Sequence, residues 1–103
     1  MHIVVFITAA NRKEADLISE ALVKRKLVAC VNITERVESV FWWKGKVEHA
    51  KELLLMAKSR KSKFSQIVKA VKSLHSYDVP EIIALPVVCG SDTYLRWIND
   101  SLR

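Results

Sequence analysis

The residues able to do chemistry are few, and their spacing narrows what that chemistry can be. His75-Ser76-Tyr77-Asp78 is the densest polar cluster and runs into Val79-Pro80. It reads as a loop, the usual seat of a binding site. His75 can ligate a metal or move a proton; it can equally be a cation suited to the C-terminal end of a helix. Tyr77 can offer its phenol to a ligand or cover the end of the core, and Asp78 is a turn former. Cys30 and Cys89 stand far apart among apolar neighbours, the pattern of buried, reduced thiols. Cys30 has a second reading, as a thiolate that meets a soft cation such as Cu(I) where subunits come together. Lys58, at a strand end, can receive an anion or sit in water. Trp43 can line an intersubunit pocket, but tryptophan more often anchors an interface. Glu48 and Glu52 lie four apart on a strand, so they share a face and can pair with Lys46, Lys58 or a neighbouring chain.

Other chemistries are excluded by what is missing. The chain has two glycines, too few for a phosphate loop, a dinucleotide fingerprint or a nucleophile elbow. His2, His49, His75 and the two cysteines show neither Cys-x-x-Cys nor His-x-x-x-His spacing, which argues against a preformed zinc site. Thr8-Ala9-Ala10-Asn11-Arg12 has the arginine of an acylphosphatase-like anion cradle but no glycine to wrap it. No catalytic constellation emerges, so an enzyme is not expected. Residues 46–57 hold no aromatics on which RNA bases would stack. Net charge is +6 and the pI about 9.6. That permits polyanion binding, but many of the lysines fall on helices, where a solvated face accounts for them, and nucleic acid is not an expected partner. No apolar run approaches the roughly 18 residues of a membrane span. Ile3-Val4-Val5-Phe6-Ile7 has no basic residue before it and reads as a strand, not a leader. A cytoplasmic protein is expected.

The elements that position these residues follow from apolar periodicity. The 103 residues suit one domain, 1–103. Ile3-Val4-Val5-Phe6-Ile7 is apolar at every position, a strand buried on both faces. Asn11 caps a helix over 12–26, whose stripe is Ala15, Ile18, Ala21 and Leu22. A second strand begins at Leu27-Val28 and runs to Trp43. Trp42-Trp43-Lys44-Gly45-Lys46 turns the chain, and a third strand returns over 46–58. Ser59 is expected to cap a helix over 61–74, with Phe64, Ile67, Val68, Val71 and Leu74 as its stripe. A strand over 81–88 contains Pro86, which suits an edge. Ser91 or Asp92 caps a last helix carrying Tyr94, Leu95, Ile98 and Leu102.

The order βαββαβ plus a helix is the ferredoxin-like α+β arrangement, two helices on one face of a four-stranded antiparallel sheet. One face of that sheet is bare. Yet the strands are apolar at both parities, so Val4, Phe6, Leu54, Met56, Ile83 and Leu85, or their alternates, would meet water. At roughly 1.5–3 kcal/mol per large side chain, that is on the order of 10 kcal/mol of unmet burial. Such a patch implies a partner, most simply another copy of the chain. The long aromatic-tipped hairpin would then connect chains.

Several stretches together resemble the CutA family, the divalent-cation tolerance proteins. They are Leu27-Val28-Ala29-Cys30-Val31-Asn32, Trp43-Lys44-Gly45-Lys46-Val47-Glu48, Glu52 with Lys58-Ser59, Leu74-His75-Ser76-Tyr77-Asp78-Val79-Pro80-Glu81-Ile82, and Tyr94-Leu95-Arg96-Trp97-Ile98. Ser76 stands where the family usually has proline, and Asp78 where it often has glutamate. The resemblance implies a homotrimer shaped like the PII signalling proteins, with clefts between subunits and hairpins that extend neighbouring sheets. It implies binding of copper or another divalent metal ion. Cys30 matches the position proposed to contact copper, and Trp43, Lys58, His75 and Tyr77 match positions around the cleft. An alternative implied by the shape is a signalling or scaffold trimer that binds a small anionic metabolite or a partner protein there.

Overall fold

The computed structural model describes residues 1–103. Its elements are β1 (His2–Ala9), α1 (Arg12–Lys24), β2 (Cys30–Trp43), β3 (Lys46–Arg60), a 3-10 turn (Lys61–Lys63), α2 (Phe64–Leu74), β4 (Ile82–Pro86) and α3 (Asp92–Ser101). The strands form one antiparallel sheet in the order β2-β3-β1-β4. This is the expected ferredoxin-like topology.

Side-chain alternation divides the sheet cleanly. Ile3, Val5 and Ile7 of β1 and Leu55 and Ala57 of β3 are buried with Ile18, Leu22, Ile67 and Val71 of α1 and α2 in the main core. The other parity forms a second apolar face. Phe6 lies between Met56 and Ile83, and Val4 between Lys58 and Leu85. Ile83 is 52% and Leu85 44% exposed. Only one end of this face is covered, by α3: Asn99 accepts from Arg60 at 3.0 Å and bonds His2 at 2.9 Å. Ile98 and Leu102 pack there with Ala29.

Local boundaries differ from the sequence expectation in instructive ways. Asn11 caps α1 as expected, accepting from the Glu14 N–H at 2.9 Å. The helix ends at Lys24, and Lys26 takes a positive φ of 57° that turns the chain out. Leu27, Val28 and Ala29 are therefore a buried connection, and β2 begins at Cys30. Ser59 caps no helix. It lies inside β3, fully buried, and its Oγ donates to Leu27 O at 2.6 Å. The same connection is held by the Ala29 N–H, which donates to Lys58 O at 2.8 Å. The 3-10 turn then leads into α2, which has no side-chain cap. Pro86 ends β4 at the sheet's edge, where its missing N–H costs no ladder bond. Cys89 is exposed, not buried as its apolar neighbours suggested; Cys30 is half-buried, and both thiols are free.

The hairpin carries a feature that the sequence did not announce. Thr34 pairs with Leu54, but Val37 pairs with Glu52, so β2 holds one extra residue. Arg36 absorbs it at φ 61°, in the left-handed region. A one-residue slip exchanges the two faces of everything beyond it. Ser39, Phe41 and Trp43 thereby join the face of Ala50 and Glu48, their cross-strand partners or neighbours. The tip is a two-residue turn with Lys44 at φ 51° and Gly45 at 78°, as the Lys-Gly pair predicts.

Replacing Ser59 by Ala should strip a buried carbonyl of its partner. The expected cost is about 1–3 kcal/mol, read as a lower urea midpoint at fixed chain concentration. An unchanged midpoint would show that the Leu27–Ala29 connection is held otherwise.

Candidate functional site

Two regions of interest lie at opposite ends of the hairpin. At its root, Cys30 faces Lys58 across β2 and β3, in the row that continues through Val4. The Cys30 Sγ lies 3.5 Å from the Tyr94 hydroxyl, on the first turn of α3. That contact, with some burial, pushes the Tyr94 phenol up to about 12. Thirteen residues further along β2, on the order of 40 Å at strand rise, stands Trp43. One chain cannot bring Trp43 to Cys30.

At the far end, a cleft of about 910 Å³ opens between the hairpin and the loop after α2. Trp43 and Phe41 line it from β2, Glu48 and Glu52 from β3, and Tyr77, Asp78 and Glu81 from the loop. Of the expected cleft residues, Trp43 and Tyr77 meet here. Lys58 does not line it, being six residues from Glu52 along β3, on the order of 20 Å. His75 stands behind it. Its side chain is fully buried, and both ring nitrogens are engaged. The Tyr77 N–H donates to Nδ1 at 3.0 Å, so Nε2 carries the proton and donates to Thr8 O at 2.6 Å. No lone pair is left for a metal. His75 acts here by holding Tyr77, whose ring packs tilted against it at 4.7 Å.

Glu14 completes this support, and the sequence reading passed over it. Asn11-Arg12-Lys13-Glu14 has the spacing of a capping box, the signal that could have flagged it. Its carboxylate accepts from the Ala10 N–H and the Ser76 N–H, both at 2.7 Å. Burial raises its pKa, but the bonds from Ala10 and Ser76 and the nearby His75 outweigh that and leave it lowered. Tyr77 is pushed up to about 12, first by burial and then by the Glu52 carboxylate beside it. Glu52 is only 6% exposed. No lysine, arginine or histidine stands within ion-pairing distance of it, so the pairing with Lys46 or Lys58 does not occur. A second cleft, of about 630 Å³, lies on the other side of Glu52, where Arg12, Arg36 and Lys51 mix with Glu35 and Glu38.

Known proteins share this architecture. The family model described as CutA1 divalent ion tolerance protein matches residues 3–101. The chain belongs to the CutA1 family. The Archaeoglobus fulgidus divalent-cation tolerance protein CutA is 41% identical over 103 residues, covering 100% of both chains. Its solved structure, described as a periplasmic CutA, superposes with a TM-score of 0.97. The Thermus thermophilus structure gives 0.96 at 42% identity, with 98% of each chain covered. The chloroplastic CutA of Arabidopsis thaliana is 46% identical over 98% of this chain, which spans 56% of that relative. CutA1 membership thus accords with the resemblance carried by the hairpin and the 75–80 loop.

The Glu14 geometry carries a signed pH dependence. Its pKa in the fold lies below the ordinary 4.5, so the stability it contributes is full above that value and lost as pH falls through the lower one. Glu14→Gln should be less stable than the parent at neutral pH, with the gap closing as acid denaturation is followed below about pH 4. A gap independent of pH would show that charge at Glu14 plays no part.

Proposed function

We propose that this CutA1-family chain assembles as a homotrimer and binds copper or another divalent metal ion, with Cys30 as its soft donor. The observation that carries the reading is the apolar second face of the sheet. Phe6, Met56, Leu54, Ile83 and Leu85 lie on it, and α3 covers only one end. Trp42, 74% exposed at the hairpin tip, extends the same need for cover. A further copy answers both, and the number three follows the family resemblance.

Cys30 suits the metal role because its thiol is half-buried, not sealed, and lies on the face that assembly would cover. A single chain gathers no three of His, Cys, Asp and Glu around one point. Cys30 is therefore one donor of a set completed by a second copy or by an exogenous ligand. The printed names of the Archaeoglobus and Thermus relatives, divalent-cation tolerance proteins, support the same reading. Trp43 and Tyr77 line the ligand cleft with His75 as its support, and Lys58 joins a cleft only where a neighbouring copy brings it. The two free thiols, one of them exposed, suit the reducing cytoplasm. No helix is long and apolar enough to cross a membrane.

Anaerobic titration of the full chain with Cu(I), beside Cys30→Ser, tests the metal assignment. The parent should bind at least tenfold more tightly. Equal affinities would remove Cys30 from the site.

A further inference from the structure

We infer that His75 is a proton-operated catch on the loop after α2: neutral, it holds Tyr77 in place, and protonated, it releases Tyr77 and turns to Glu14. The inference deepens the reading of the Trp43–Tyr77 cleft as a ligand site by naming what regulates one of its walls. The catch itself stands whatever the cleft binds.

The geometry fixes the resting state. A carbonyl oxygen only accepts, so the 2.6 Å contact of Nε2 with Thr8 O puts the ring proton on Nε2. Nδ1 is left with a lone pair, and it accepts from the Tyr77 N–H at 3.0 Å. A second proton on the ring has only Nδ1 to go to. There it points at another donor, and two N–H groups cannot share that contact. The Nε2 bond to Thr8 O survives protonation, so the ring keeps its anchor on β1 and the Tyr77 N–H is the group that yields. An acceptor already stands beside the new proton: Glu14 Oε1 lies 3.8 Å from Nδ1. Closing that gap by about 1 Å makes a charge-assisted hydrogen bond.

The surrounding charges suit the exchange. Burial raises the Glu14 carboxyl, but its bonds from Ala10 and Ser76 and the nearby ring outweigh that and hold it below the ordinary 4.5. It is therefore a carboxylate throughout the range in which an imidazole gains its proton. Glu52 on β3 is the other acid on this side, beside the Tyr77 phenol. β1 offers only the Thr8 carbonyl, and Lys72 in the last turn of α2 and Asp78 in the loop are exposed. The His75 side chain is fully buried, and its partners belong to its own chain, so the exchange does not wait on a second copy. The Ser76 N–H stays on Glu14. Release is thus confined to Tyr77 and the residues after it, and Tyr77, Asp78 and Val79 line the cleft.

The test is NMR of the full chain, with labelled histidine rings and amides, from about pH 8 to about pH 5, the span in which an imidazole ordinarily changes charge. The His75 ring should show the Nε2–H tautomer alone at the alkaline end and a doubly protonated ring at the acid end. The Tyr77 amide proton should move upfield along the same curve as its hydrogen bond is lost, and the Ser76 amide should move far less. His75→Asn is the control, because its side-chain carbonyl can accept where Nδ1 did and takes up no proton. Its Tyr77 amide should stay in place across the span. If that variant does not fold, the parent's titration decides alone. A His75 ring that stays neutral to the acid end would overturn the inference. So would a ring that gains its proton while the Tyr77 amide stays in place, or a Tyr77 amide that moves equally in His75→Asn. None of these readouts involves a ligand, so failure of the catch is distinct from failure of the cleft to bind one.

Discussion

The structure depends on one geometric fact: side chains on a strand alternate, and α1 and α2 cover only one of the two resulting faces. Ile3, Val5, Ile7, Leu55 and Ala57 satisfy the covered face. Phe6, Met56, Ile83 and Leu85 are left on the other. Apolar residues on both faces of a strand are ordinary in a sheet sandwiched between layers. Here the second layer is missing except where α3 packs near Arg60 and His2. The hairpin makes the need larger, since every residue from 41 to 49 is exposed, two tryptophans among them. The proposed assembly would complete the sheet thermodynamically. Sites on the bare face, Cys30 included, would then be seams between copies.

The same alternation explains the cleft. Glu48 and Glu52 share a parity on β3, as expected of residues four apart. What brings Phe41 and Trp43 to that side is the extra residue in β2. Without the slip at Arg36, Val40 and Trp42 would face the acids, and Trp43 would face away. A left-handed arginine costs about 1–2 kcal/mol, which is local strain of the kind that persists where the surroundings demand it. Behind the cleft, His75 and Glu14 lock the loop by bonds to Thr8, Ala10, Ser76 and Tyr77. The imidazole and the carboxylate are spent on positioning. The groups left lining the cleft are the Tyr77 phenol, the Trp43 ring and the acids.

Much of this was legible in the sequence because it rests on periodicity. The two-sided strands, the amphipathic stripes of α1 and α2, the Asn11 and Ser91 caps and the Lys-Gly turn all have period or position signals. What escaped depends on contacts between distant segments. Ser59 looks like a helix cap because serine before a lysine-rich stripe usually is one; only the return of Leu27 beside β3 makes it a buried donor. His75 looks like a ligand until Thr8 O and the Tyr77 N–H occupy its nitrogens. Glu52 looks like half of a surface ion pair, and nothing local says that Tyr77 of the 75–80 loop comes to lie beside it. The bulge has no glycine to announce it. Lys58 and Trp43 lie too far apart along the hairpin for one chain to bring them together, so the intersubunit cleft that the resemblance implies needs a second copy.

The most direct test of the central claim is the mass of the intact chain in solution at micromolar concentration, by multi-angle light scattering, beside a variant lacking the 42–46 tip. If the bare face and the hairpin are completed by copies, the intact chain has three times the 11.8 kDa of one chain, and the shortened chain loses that mass. An intact chain at the mass of one copy would contradict the account. A shortened chain that keeps the full assembly would show that the hairpin is not what joins the copies.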